Sequence, residues 1–325
     1  MKKNILLLLI SLIAGILLVE LSTRAFGIRP YNISMFNKPW AEPHPSLGWK
    51  NRGGTYNSTE PGHAPMAFWA DGRRANRATQ TKTANHRAIL IGCSFTQGYG
   101  VGDNETFSYL LDKKYPGITF DNYGTGGYGT VQSLLMARHV FNETSVPDLA
   151  IYGYIPGHMD RNVASASWAS ALKDATGKNI SAPHAVVTGA KVEYQPMSVI
   201  EPWPLERHSV LMAMLHKGWL RVKLRKRPEQ KLLVTQHVIT EMRDFVAGSG
   251  KSRLLVAILV DDGQMSTFMR GQGIEYVNCA HPSYGKGPGL SVGGVGHPNH
   301  ILHEYWAECI SKWIADNFVQ AETAR

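Results

Sequence analysis

Cysteine is scarce in this sequence, and its scarcity excludes two classes of protein at once. Cys93, Cys279 and Cys309 are the three cysteines among 325 residues. They are odd in number and lack metal-ligand spacing, so neither a zinc module nor a disulfide framework is expected. All three read as small core residues. Charged residues are also few, 18% against 43% hydrophobic, and a chain so composed is not disordered at large. It can bury a substantial core in one or two domains. Acidic side chains are the scarcer sign, which leaves a net charge of +9 and a pI near 9.4. An anionic partner such as a membrane surface or an acidic glycan fits that balance. Without a zinc finger, an RNP motif or any other such signature, no nucleic acid is expected.

What is present begins at the N-terminus. Met1-Lys2-Lys3-Asn4 precedes Ile5 to Val19, apolar apart from Ser11, and Glu20 ends the run. At about 1.5 Å per residue these positions cover roughly 23 Å against a hydrocarbon core of about 30 Å, a short span. Thr23-Arg24-Ala25 is a poor cleavage site. An uncleaved signal anchor over residues 1–27 is expected, with Lys2 and Lys3 in the cytoplasm and the remainder on the periplasmic, extracytoplasmic side of the inner membrane. Residues 28–85 follow, with Pro30, Pro39, Pro43, Pro45, Pro61 and Pro65 and no long helical period. Trp40, Trp49, Phe68 and Trp69 are too many large aromatics for a solvated tether, so this loop-rich lead-in is expected to pack on the core.

From residue 86 the chain alternates strand and helix. Ala88 to Gly92 is a short apolar run stopped by Cys93-Ser94-Phe95-Thr96, which leaves a serine at a strand tip. A glycine-rich loop, Gln97 to Gly102, comes next, and Asp103 or Asn104 is placed to cap a helix beginning near Glu105. Further strands are expected at Thr119–Asn122, Leu149–Gly153, Arg253–Val260 and Ile274–Val277, with helices between them. That order predicts a parallel sheet with crossover helices, whose sites lie beyond the C-terminal strand ends. Residues 163–228 read as an insertion, irregular to about 205 and then helical from Ser209 into a basic cluster, Arg221 to Arg227. Near the end, glycines from Gly285 to Gly296 deliver His297 ahead of a last helix with an apolar stripe from Leu302 to Ile314. His297, His300 and His303 are spaced by three, but without an acidic partner no metal is expected.

Three blocks carry a family resemblance. GCSFTQGYGVGDNETF, from Gly92 to Phe107, resembles the first block of the SGNH hydrolases, the GDSL-type esterases and acyltransferases, with Cys93 where the family usually has Asp. Asn122 to Gln132 resembles the glycine block and Gly296-His297-Pro298-Asn299 the histidine block. The pieces HPSLGWKNRGG and ADGRRAN resemble the segment ahead of the core in membrane-anchored relatives. The resemblance implies a three-layer α/β/α sandwich on a parallel flavodoxin-like sheet, spanning residues 86–318 with a tail at 319–325. It implies acyl transfer through a covalent ester on Ser94 with His297 as base and no cofactor. The backbone N–H groups of Ser94 and Gly127 would bind the oxyanion.

Two departures accompany the likeness. The family's aspartate, three residues before its histidine, is replaced by Gly294, and its oxyanion asparagine by the Gly157-His158 pair, with Asn162 five residues late. His158 is therefore expected as a third oxyanion donor, and Asp261 or Asp262 as support for His297. The implied substrate is an acylated envelope glycan or a small ester. The alternatives are an O-acyltransferase of the same fold and a catalytically silent carbohydrate-binding or scaffold protein.

Overall fold

The computed structural model describes residues 2–30, 39–58, 60–176, 181–199, 201–294 and 296–319. The expected tail at 319–325 lies, but for residue 319, outside them. Helix α1 (Lys2–Ala25) runs well beyond the apolar stretch. Glu20 and Arg24, one turn apart, pair at 2.7 Å and carry the helix past Val19. Within Lys3–Ala25 the most apolar 18-residue window has a mean hydropathy of 2.7 and no buried part, and about 35 Å of helix is long enough for a bilayer crossing.

The lead-in forms two antiparallel ladders, β1 (Ala41–His44) with β2 (Gly48–Asn51) and β3 (Gly54–Tyr56) with β4 (Met66–Phe68). Leu47 and Trp49 enter the main core, while Trp40, Met66 and Phe68 make a small cluster of their own. From β5 (His86–Gly92) the chain passes a single helical turn, α2 (Ser94–Gln97), and α3 (Phe107–Lys114) to β6 (Ile118–Asn122). Helix α4 (Thr130–Glu143) then leads to β7 (Leu149–Tyr154). Beyond it lie α5 (His158–Asn162), α6 (Ala166–Thr176), the hairpin of β8 (Ser181–Thr188) and β9 (Lys191–Val199), α7 (Val210–Lys223) and α8 (Arg227–Ala247). The chain closes with β10 (Arg253–Ile258), α9 (Gly263–Gly271), β11 (Tyr276–Asn278) and α10 (His300–Ile314).

β5, β6, β7, β10 and β11 form one parallel sheet in the order β11-β10-β7-β5-β6. The chain steps from β5 to one side for β6 and to the other for β7, which is the flavodoxin-like order with its switch point between β5 and β7. Strand residues alternate between two apolar faces: Ile89 and Ile91 meet Val131, Leu134 and Val238, whereas Ala88 and Leu90 meet Phe107, Leu302 and Trp306. Helices thus cover both faces, giving three layers. At about 1.5–3 kcal/mol per fully buried large aliphatic side chain, these two interfaces are the main source of stability.

Three expectations change. Among the described residues between 163 and 205, Ala166–Thr176 form α6 and the hairpin β8–β9 turns at Gly189, where φ is +62°, in place of the expected irregular chain. The helix expected near Glu105 begins at Phe107 and is capped by Thr106, whose hydroxyl accepts from Tyr109 N–H at 3.2 Å. The strand tip runs directly into α2, which Ser94 opens. Cys279 and Cys309 form a disulfide with a Cα–Cα distance of 5.7 Å, leaving Cys93 free and buried. Sequence spacing conceals that pair because Cys279 follows β11 and Cys309 lies on the stripe that α10 packs beside it.

Candidate active site

The site is built at the tip of β5. Gly92, at φ +152°, is required by crowding: a Cβ there would stand 2.2 Å from Thr96 Oγ1 and 2.9 Å from the Gly153 carbonyl oxygen. A Cβ on Gly153 would stand 2.2 Å from the same threonine oxygen, so β5, β7 and α2 close around Thr96 only because both positions lack a side chain. Ser94 then opens α2, and Gly98 at φ +77° ends it by donating to the Ser94 and Phe95 carbonyls. The serine is 5% exposed.

His297 reaches it from the opposite direction. Val292 N–H donates to the His297 carbonyl, Ser291 bridges Pro298, and Asn299 caps α10 by accepting from Leu302 N–H. Tyr284 donates its hydroxyl to the carbonyl of Gly296. This clasp holds the imidazole with Nε2 3.1 Å from Ser94 Oγ, a hydrogen-bond distance. Tyr99 meets the ring edge-on at 4.8 Å and Phe95 at 5.8 Å, so aromatic faces restrict its rotation.

The glycine block packs directly on the nucleophile turn. Asn122 donates to the Thr96 carbonyl at 2.7 Å and to Ser108 at 2.9 Å, while its carbonyl accepts from Gly124 N–H. A Cβ on Gly124 would lie 2.3 Å from Gln97 N. Gly127, at φ +82°, is in the left-handed region that glycine favours.

Residues that sequence reasoning did not single out hold this arrangement together. Arg74, fully buried, donates to the carbonyls of Gln97, Gly98 and Val101 at 2.8–3.0 Å and to Asp103 at 2.6 Å. Burial pushes its pKa down, and the Asp103 carboxylate opposes that shift. Asn51 accepts from Gln97 at 2.7 Å and donates to the Gly72 and Gly124 carbonyls, and the Trp49 indole donates to the Gly126 carbonyl. Tyr99, beside His297, is hydrogen-bonded to Glu60, which also stands 3.6 Å from His63. The signal for the first three was the pair of segments HPSLGWKNRGG and ADGRRAN, which contain them but do not reveal their targets.

The other expected site residues are engaged elsewhere. His158 is fully buried, with Nδ1 2.6 Å from the Tyr152 hydroxyl, which itself donates to Thr130 Oγ1 at 2.8 Å. Burial, with Arg161 nearby, pushes the pKa of His158 well below its ordinary value. His158 is thus held within a buried network at the tip of β7. Asn162 belongs to the same network, donating to Thr130 and Thr235 at 2.8 Å each and accepting from Val131 N–H. Asp262 caps α9 through Met265 N–H at 3.0 Å and accepts from the Tyr154 hydroxyl at 2.8 Å, while Asp261 accepts from Asn278 at 3.3 Å. Neither carboxylate is seen against His297. His303 accepts from Phe107 N–H at 3.2 Å, stacks on that ring and has its pKa pushed to about 3 by burial, so it ties α10 to α3.

No family model matches the sequence, and no curated protein matches it. Solved structures do. A lipolytic protein of the G-D-S-L family from Desulfitobacterium hafniense is 15% identical, with 70% of this chain and 99% of that chain covered and a TM-score of 0.41. This chain resembles the SGNH hydrolases. A G-D-S-L family lipolytic protein from Veillonella parvula is 13% identical over 71% of this chain and 97% of its own, with a TM-score of 0.37. The esterase EstA from Pseudoalteromonas is 10% identical over 71% and 99%, with a TM-score of 0.40. Such distant likenesses add nothing on substrate or mechanism, which rest on the residues themselves.

Proposed function

We propose that this protein is a serine esterase of the SGNH type, held to the inner membrane by α1, that removes acyl groups from an envelope glycan or a small ester outside the cytoplasm. The observation that carries the reading is the 3.1 Å contact between His297 Nε2 and Ser94 Oγ, a nucleophile and its base at the strand end where such folds keep their sites. As Ser94 Oγ bonds to the ester carbonyl carbon, its proton passes to His297 Nε2. The tetrahedral oxyanion is held by the N–H groups of Ser94 and Gly127. It collapses, the C–O bond to the alcohol breaks, and the imidazolium returns the proton to the leaving oxygen. Water then enters, loses its proton to His297 and bonds the acyl carbon, and Ser94 departs reprotonated with release of the acid. The extracytoplasmic location is supported by Lys2 and Lys3 ahead of the apolar run from Ile5 and by the Cys279–Cys309 disulfide, which suits an oxidising compartment.

A fluorophosphonate probe tests the reading. It should label the full-length protein in membranes and fail to label Ser94→Ala. Equal labelling of the two sinks the assignment. Product analysis with a glycan acceptor present should give free acid, and transfer of the acyl group to the acceptor would instead identify an acyltransferase.

A further inference from the structure

α7 is the helix that meets the end of α1. Glu20, near the end of α1, caps the start of α7: its two carboxylate oxygens accept from Val210 N–H at 2.9 Å, Leu211 N–H at 3.0 Å and the Ser209 hydroxyl at 2.9 Å. Arg24 donates to the His208 carbonyl as well. α7 therefore begins where α1 leaves the bilayer, and the two helices form one joint instead of a tether.

α7 buries Ala213, His216 and Leu220 toward the domain. Its other side is apolar and open: Met214 is 51% exposed, Leu215 52%, Trp219 41% and Val222 64%. At about 100° per residue these four lie within an arc of about 140°, with Arg221 and Lys223 at its two edges. Lys223 Nζ sits 4.5 Å from the centre of the Trp219 ring, and Arg225 and Lys226 extend the positive charge beyond the helix. Just upstream, Leu205 is 70% exposed and held at φ +62°, a conformation that a leucine rarely adopts. Apolar side chains, an interfacial tryptophan and flanking cations at the height of a bilayer exit match the requirements of a helix lying in a headgroup layer.

We propose that α7 lies in the outer headgroup layer of the membrane that α1 crosses, with Leu205, Leu215, Trp219 and Val222 dipping into it and Arg221 and Lys223 on anionic lipid. The domain is thereby fixed in one orientation and does not swing on its anchor. This inference rests on reading α1 as a membrane span.

The test uses the full chain in vesicles of phosphatidylcholine with phosphatidylglycerol, nitroxide-labelled one site at a time at Leu215→Cys, Val222→Cys, Leu12→Cys in α1 and Glu143→Cys on the exposed end of α4. Spin-label accessibility to oxygen against a water-soluble nickel chelate is then read. The oxygen-to-nickel ratio at 215 and 222 should be several-fold above that at 143 and fall toward it when Arg221→Glu and Lys223→Glu are combined. Ratios at 215 and 222 equal to that at 143, with position 12 still oxygen-accessible, overturn the proposal while leaving the anchor in place. A nickel-accessible label at position 12 overturns the anchor and the proposal together. Dipolar broadening between labels at 222 in dilute vesicles would show a second copy on this face, which also overturns it.

Discussion

His297 and His158 each face a hydroxyl at hydrogen-bond distance, and their surroundings give them opposite fates. His297 stands 3.1 Å from Ser94, partly exposed on a glycine-rich loop. His158 stands 2.6 Å from Tyr152, fully buried in a network with Thr130, Asn162 and Thr235. The shorter contact is the structural one. A histidine–hydroxyl pair becomes a nucleophile only where a substrate carbonyl can approach and the ring can exchange its proton. At the tip of β7 the same chemistry is used to pin the start of α4 instead.

That contrast is broken most directly at Ser94. Ser94→Ala and His297→Ala should each lower kcat by about 10⁴ or more, with the double variant little worse, because the pair acts as a unit. Thermal stability should barely change. Additive losses in a full kinetic series would remove His297 from its role.

Arg74→Met examines what supports the exposed pair. It leaves Asp103 without its buried cation and the carbonyls of Gln97, Gly98 and Val101 without a donor, and should cost about 3–5 kcal/mol of stability. A denaturant titration measures it. A variant as stable as the parent would mean that the nucleophile turn holds its shape alone.

His158→Ala should have the reverse signature of Ser94→Ala. Removing a buried ring that satisfies Tyr152 should cost about 2–4 kcal/mol, while kcat of the folded fraction stays within a few-fold. A fall in kcat of about 10² at unchanged melting temperature would restore His158 as an oxyanion donor.

The smallest effect is on pH dependence. Burial holds His158, His184 and His303 neutral, with pKa values well below the ordinary one, about 4 for His184 and about 3 for His303. In the unfolded chain they titrate near 6.5. As pH falls below about 6.5 the unfolded state takes up protons first, so stability is full above that value and declines toward the folded-state values. The slope is up to about 1.4 kcal/mol per pH unit for each histidine. Melting temperatures between pH 7 and 5 should fall, and less steeply in His158→Ala. A flat profile would show that these rings are not held neutral.

Much of this was legible in the sequence. Strands at β5, β7 and β10 announced themselves as apolar runs closed by glycine or turn residues, because a strand buried on both faces has no polar side to show. Ser94 and His297 were legible because each follows a local break, one a strand end and the other a glycine run. The hairpin β8–β9 was missed because its alternation is interrupted by Pro183, His184 and Pro196.

Local sequence set the alternation of strands and helices, the apolar N-terminal helix, and the two residues assigned the proposed chemistry. These are properties of neighbours along the chain, set by side-chain period, by glycine and by proline. Only the tertiary structure decided that Arg74 clasps the nucleophile turn, that Asp262 caps a helix, that Cys279 meets Cys309 and that Glu20 caps α7. A hydrogen bond or a disulfide is fixed by a few ångströms of space, and Glu20 lies 190 residues from the Val210 amide it accepts, a separation no local pattern encodes.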